Sequence, residues 1–282
     1  TLFPYTTLFR SLYGQRKFDG LRCIAKIESD GSVSLTSRNL LKFSNLDHIR
    51  KAIAALKNVP DDFYFDGELY ADPEHLSFQE ANGLIRKQTL TQGDADRQKH
   101  FKYRIYDFFD PNSPDLTYEE RYALLEQWLD PNSKNLVLTK NYKVDNFQEM
   151  YDLATGFVKE GYEGGIIRVL GVPYKQGAKS KSTMLKLKFF KDEEFEIIDF
   201  KDGDTPASKN LIIFKCWSKK AEELGNLNPV FDVKPNGTNE QRKKWFEEGE
   251  KFIGSDLTVE FEEYSKDGIP KKPTGKSIRT YE

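Results

Sequence analysis

Lys17-Phe18-Asp19-Gly20-Leu21-Arg22-Cys23-Ile24-Ala25-Lys26-Ile27 sets a K-x-D-G tetrapeptide directly against a run in which apolar and polar residues alternate. A period of two predicts a β-strand over 21–27, with Lys17 held at its mouth, where an amine can serve as a nucleophile. Ser29-Asp30-Gly31 is a turn signal, so 32–37 reads as the return strand of a hairpin that ends at Arg38.

Further along, Leu46, Ile49, Ile53 and Leu56 recur at helical spacing and predict a helix over 46–56. Phe63-Tyr64-Phe65 enters a strand that delivers Asp66 and Glu68. Helices are predicted over 78–86, 118–129 and 146–160, and strands over 103–107, 136–142 and 165–170. No strict βαβ rhythm connects them, which favours an α+β fold over a doubly wound sheet. After Lys191 the texture changes to short strands (195–200, 211–216, 257–262) with one helix over 239–251, where Thr238 and Gln241 form a capping-box pattern. Several strands and one helix in about ninety residues suit a small barrel of the oligonucleotide-binding class. The chain therefore divides into two domains, 12–190 and 191–282.

The chain has 282 residues, 38% of them hydrophobic, enough to bury a core. No apolar run is long enough to span a bilayer, so no membrane partner is expected. Only two cysteines, Cys23 and Cys216, are present, which argues against a disulfide framework and for the reducing cytoplasm. His48, His75 and His100 fall in no Cys/His cluster, so no structural zinc is predicted. Net charge is −2, yet residues 171–191 hold six lysines (Lys175, Lys179, Lys181, Lys186, Lys188, Lys191) and no acid. Such a stripe is either a solvated face or a place for an anionic partner.

K-x-D-G gains its weight from the motifs downstream of it, in order: Ser37-Arg38-Asn39, Phe65-Asp66-Gly67-Glu68-Leu69, Tyr106-Asp107-Phe108-Phe109-Asp110, Glu163-Gly164-Gly165-Ile166-Ile167-Arg168 and Leu185-Lys186-Leu187-Lys188. Over residues 13–282 this series resembles the nucleotidyltransferase motifs of ATP-dependent DNA ligases, in a compact form similar to those of bacteriophages. The resemblance implies an ATP-grasp-like nucleotidyltransferase domain of mainly antiparallel sheets with flanking helices, followed by an OB-fold barrel. It also implies ATP and Mg²⁺ (or Mn²⁺) as cofactors, nicked double-stranded DNA as substrate, and a monomer. The first eleven residues, TLFPYTTLFRS, resemble a translated short-read sequencing adapter. They are expected to be non-native, which would leave the nucleotidyltransferase domain short of its natural N-terminus.

A lysine amine titrates near 10.4 in isolation, so Lys17 needs cations around it to become a nucleophile at neutral pH. Arg22, Lys186, Lys188 and a divalent metal are the candidates. By resemblance, Arg22 and Arg38 contact phosphate and ribose, Glu68 holds the ribose or a metal, Tyr106 stacks on adenine, and Glu163 binds the metal. Lys186 and Lys188 neutralise the α-phosphate, and Gln15 reads the adenine amino group. The two lysines alternate with Leu185 and Leu187, so they share one strand face while the leucines face the core. Asp19 would hinder the first step by raising the amine's pKa, and is assigned instead to orienting or deprotonating the attacking 3′-hydroxyl. Arg168 stands where many relatives have lysine, a change that keeps charge and alters geometry.

Pro273-Thr274-Gly275-Lys276-Ser277 ends like a phosphate-binding P-loop, but Pro270 stands where its first glycine is required, so no cradle is predicted. The stretch from Gly268 to Glu282 resembles the C-terminal barrel motif of small ligases, by which Lys272 and Arg279 orient the pyrophosphate of ATP. A capping guanylyltransferase or RNA ligase shares the first chemical step, and a catalytically inactive nucleic-acid-binding fragment is the reading from another class. NAD-dependent ligases are disfavoured by the short chain and the lack of a four-cysteine zinc site.

Overall fold

A computed structural model describes residues 12–177 and 183–279. Lys179, Lys181, the adapter-like segment 1–11 and the terminal Thr280-Tyr281-Glu282 lie outside the described residues. Two compact units divide the chain, Thr1–Leu187 and Lys188–Glu282.

The first unit mixes helices with two sheets. One sheet orders its strands β3 (Val33–Ser37), β2 (Leu21–Ile27), β4 (Phe63–Tyr70), β5 (Lys102–Phe109) and β6 (Leu136–Leu138). The other runs β7 (Tyr142–Val144), β1 (Leu12–Lys17), β8 (Gly164–Val169), β9 (Met184–Lys188). The predicted hairpin is β2–β3, closed by a hydrogen bond from the Glu28 amide to the Ser32 carbonyl at 2.8 Å. Beneath the larger sheet, Phe63, Phe65, Leu69, Tyr103, Ile105 and Phe108 pack with Ile49 and Ile53 of α1 (Asp47–Ala54) and Leu84 and Ile85 of α2 (Phe78–Arg86). Capping boxes start α2 (Ser77 with Glu80), α3 (Gln92–Gln98; Thr91 with Asp94) and α4 (Tyr118–Trp128; Thr117 with Glu120). Against the smaller sheet lies α5 (Phe147–Lys159), and its approach depends on a missing side chain. A Cβ at Gly165 would stand 2.6 Å from Met150 Cε and 2.9 Å from Ala154 Cβ, so only glycine lets the helix seat there.

In the second unit β10 (Lys191–Lys201), β11 (Ile213–Trp217), β12 (Val230–Pro235), β14 (Thr274–Arg279) and β13 (Asp256–Phe261) close in that order into a barrel. Every pairing is antiparallel except β12 with β14. Phe195, Ile197, Phe214, Val233, Leu257, Val259 and Phe261 fill it. The helix α6 (Lys219–Glu223) is a single turn, and α7 (Asn239–Glu247) begins with the Thr238–Gln241 capping box read from sequence. The P-loop look-alike lies largely in β14, where an extended backbone offers no cradle of amides.

Several sequence expectations need correction. The strand expected over 136–142 is two strands, one in each sheet: β6 runs parallel to β5, and β7 antiparallel to β1. Its apolar pattern stops at Leu138, and the polar Thr139-Lys140-Asn141 carries the chain across, with the Thr139 amide bonded to the Ile105 carbonyl at 2.7 Å. The helix over 46–56 is shorter because Leu46 is left-handed at φ 75° and lies before it. The helix over 239–251 ends at Glu247 and gives way to a 3₁₀ turn over Gly249–Phe252. Leu185 and Leu187 are half-buried rather than core.

Candidate active site

Lys17 is the last residue of β1, opposite Gly164 on β8. That register brings the Glu163 amide to the Lys17 carbonyl at 3.1 Å and the Glu163 carboxylate onto the Lys17 amine. Both side chains are only 14% exposed, so the pair sits in a partly dry enclosure where charge interactions are strong. On the facing sheet Arg22 of β2 stands opposite Glu68 of β4. Arg22 forks onto Asp66, with Nε–Oδ1 at 2.9 Å and Nη2–Oδ2 at 2.7 Å, and the Tyr174 hydroxyl donates to Asp66 Oδ2 at 2.8 Å. Gly20 makes the corner possible. A Cβ there would lie 2.6 Å from the Leu69 carbonyl and 2.8 Å from Glu68 Cγ.

Glu68 is the electrostatically unusual group. Burial pushes its carboxyl up to about 8; Lys17 and Arg22 pull it down, while Asp66 and Glu163 push it up further. A folded value above the ordinary 4.5 means this group's contribution to stability is complete at low pH and is lost as pH rises through about 8. Urea unfolding of the wild type should therefore show a decline across that window that Glu68→Gln flattens. Identical pH slopes for the two proteins would refute the assignment.

Below this lies a buried polar floor. The Gln15 amide donates to the Tyr118 hydroxyl at 2.9 Å and to Asn141 Oδ1 at 2.8 Å, and its Oε1 accepts from Arg168 Nε at 3.0 Å. Arg168 also reaches Asp107 at 3.4 Å and lies 5.0 Å from the Tyr106 ring centroid. Asp107 accepts a fork from Arg121 of α4, at 2.6 and 3.1 Å. One carboxylate thus links both sheets to a helix. Sequence reading gave no role to Asp66, Asp107, Arg121, Asn141 or Tyr174. For Arg121 a signal existed: it occupies the α4 stripe of Tyr118 and Leu125, where an apolar residue is the norm.

The remaining predicted residues stand apart from this floor. Asp19 is half-buried in the bend between β1 and β2. Arg38 is exposed just beyond β3, with no ion pair among the described residues. Lys186 is exposed on β9, an edge of the sheet that carries Lys17. Three of the predicted cations belong to the second unit, each held by a carboxylate there: Lys188 and Lys272 by Glu262, and Arg279 by Glu194 at 3.0 Å. Among the described residues no three His, Cys, Asp or Glu side chains form a metal cage, and no helix is long and apolar enough to cross a membrane. Cys23 and Cys216 are buried free thiols.

The family model of the ATP dependent DNA ligase domain matches residues 6–188. A DNA ligase of African swine fever virus is 30% identical over 268 residues, covering 91% of this chain and 60% of the viral protein. This chain therefore spans less than two thirds of that relative. Among solved structures, one reported as a structure-function analysis of Lig E DNA ligases, binding DNA with a minimal scaffold, superposes with a TM-score of 0.74 at 16% identity, covering 97% of this chain and 94% of its own. The ATP complex of the bacteriophage T7 ATP-dependent DNA ligase gives a TM-score of 0.53 at 18% identity, covering 95% and 92%. These two likenesses are ones of fold.

Proposed function

This chain belongs to the ATP-dependent DNA ligase family, and on that premise we propose that it joins a 5′-phosphate to a 3′-hydroxyl at nicks in duplex DNA. The observation that carries the reading is the convergence of Lys17, Glu163, Glu68 and Arg22 from four strands or strand ends onto one enclosure. In the first step the Lys17 nitrogen attacks the α-phosphorus of ATP. An N–P bond forms, the P–O bond to pyrophosphate breaks, and the amine loses its proton. An oxygen of the nick's 5′-phosphate then attacks the adenylate phosphorus and the N–P bond to Lys17 breaks; finally the 3′-hydroxyl, losing its proton, attacks the phosphorus of that 5′-phosphate and the P–O bond to AMP breaks. Before the first attack the amine must leave Glu163, since the contact with that carboxylate occupies it.

Glu163 and Glu68 also suit a divalent cation. Two carboxylates without a full protein cage fit Mg²⁺ or Mn²⁺, which keeps water and phosphate oxygens as its other ligands. When bound, such an ion supplies neutralisation of phosphate charge. Arg22 and Arg38 serve phosphate and ribose, Tyr106 stacks on adenine, and Gln15 reads the adenine amino group. Lys186 and Lys188 act on the α-phosphate, and Lys272 and Arg279 on the pyrophosphate. Asp19 is left for the 3′-hydroxyl. The five-stranded barrel, with its single parallel pairing, supports assignment of 191–282 to the OB class and of 12–190 to the nucleotidyltransferase domain. We further propose a monomer acting in the cytoplasm, where two unbridged buried thiols persist.

A gel assay on a nicked duplex tests this reading. Sealing is expected with ATP and a divalent cation, and not with NAD or GTP as sole nucleotide. Binding to the duplex should weaken steeply between low and high salt. Covalent labelling by GTP in place of ATP would transfer the chain to the capping enzymes, sealing confined to RNA-containing nicks would make it an RNA ligase, and duplex binding without labelling would leave only a binding module.

A further inference from the structure

Apart from the Lys17 enclosure, the first unit holds a cavity of about 200 Å³ lined by Arg16, Phe18, Arg104, Thr139, Lys140 and Tyr162 among others. Three of these side chains are cationic and none is acidic. Arg16 already donates to Glu160 and Tyr142. Arg104 has no such partner among the described residues. Its guanidinium carbon lies 4.6 Å from the Phe18 ring centroid and 5.1 Å from that of Tyr70. Hydrogen bonds leave a guanidinium in its plane, and there Nε is buried without an acceptor among the described residues. Burial lowers the pKa of Arg104 and outweighs the attraction of Tyr162, Tyr70 and Asp72, none of which is hydrogen-bonded to it among the described residues. A second group in the lining has the same defect: Thr139 is 3% exposed, and its Oγ1 has no hydrogen-bond partner among the described residues. Lys140 at the exposed end makes no ion pair among the described residues and rests 4.8 Å from the Tyr142 ring centroid.

Two orphaned buried polar atoms in one cationic lining are costly unless a ligand meets both. We infer that the cavity between Arg104 and Thr139 is a binding site for a phosphate-type oxyanion, separate from the nucleotide enclosure at Lys17. The anion accepts from Arg104 Nε–H and from the Thr139 hydroxyl, with Lys140 at the mouth. The volume is below the roughly 300 Å³ at which drug-sized ligands begin to fit, which restricts the occupant to a small anion or the terminal phosphate of a strand. The register puts the two residues on neighbouring strands: Arg104 on β5 stands opposite Val137 on β6, two residues before Thr139. This site does not depend on the sealing reaction.

Calorimetric titration of the full chain with inorganic phosphate, with pyrophosphate, and with a dinucleotide bearing or lacking a 5′-phosphate tests the inference. The Arg104 Nε–H resonance localises the binding. Phosphate is expected to bind and to shift that resonance. Arg104→Gln should weaken binding at least about tenfold, and Thr139→Val, nearly isosteric and safe for folding, by a few fold, the size of charge-assisted and neutral hydrogen bonds respectively. Tighter binding of the phosphorylated dinucleotide than of free phosphate identifies a strand terminus as the source, and the reverse identifies the free ion. No binding by the wild type, a silent Arg104 resonance, or unchanged affinity in both variants overturns the site.

Discussion

Replacing Lys17 with alanine is expected to abolish covalent labelling of the chain by ATP and to reduce nick sealing by about three orders of magnitude or more, the scale seen when a nucleophile is removed from a unit that acts together. The enclosure supplies the reason. The amine is held from β1 against Glu163, near Glu68, on which both Lys17 and Arg22 act. The last chemical step uses the 3′-hydroxyl and a phosphate already activated by AMP, so the same variant should still join a nick that arrives adenylated. That residual activity separates lost chemistry from lost folding. Persistence of the label in the alanine variant would end the case for this residue.

Asp107→Ala is expected to bring the largest loss of stability, about 3–5 kcal/mol, the range for removing one partner of a buried ion pair. Asp107 is 2% exposed and accepts hydrogen bonds from Arg121, itself 4% exposed, and from Arg168, 8% exposed. Its removal strands two buried guanidinium groups that, among the described residues, have no other carboxylate bonded to them. Urea denaturation of the two proteins at neutral pH measures the difference. Asp107→Asn, which retains an acceptor without the charge, should fall between them, and a loss below about 1 kcal/mol for the alanine variant would show that the charges are compensated elsewhere.

Much of this was legible in the chain because the informative signals were local. The strand after Gly20, the turn at Asp30-Gly31 and the cap at Thr238 each depend on neighbours a few residues away, and each is present. The first strand of the smaller sheet was not legible. Leu12–Lys17 reads as a polar hexapeptide, LYGQRK, and becomes a strand only because β7 and β8, more than a hundred residues later, bond to both its edges. Helix α3, QGDADRQ, lacks any apolar period and was not predicted; its one local signal is the Thr91–Asp94 capping box. In the site, Lys17, Glu68 and Glu163 were visible as motif residues. The Asp107–Arg121–Arg168 network was not, because a buried charge cluster assembled from β5, α4 and β8 leaves no periodic trace. The partners of Gln15 were not legible either: its side chain bonds Tyr118, Asn141 and Arg168, which come from three distant parts of the chain.

The contact between Lys17 and Glu163 has a protective side. A reactive amine left bare would be acylated or glycated by the electrophilic metabolites that every cell contains, and each such event would retire the molecule permanently. Covered by a carboxylate and 14% exposed, this one stays quiescent. An occupant that draws Glu163 away would uncover it, which ties the exposure of this amine to the presence of a guest.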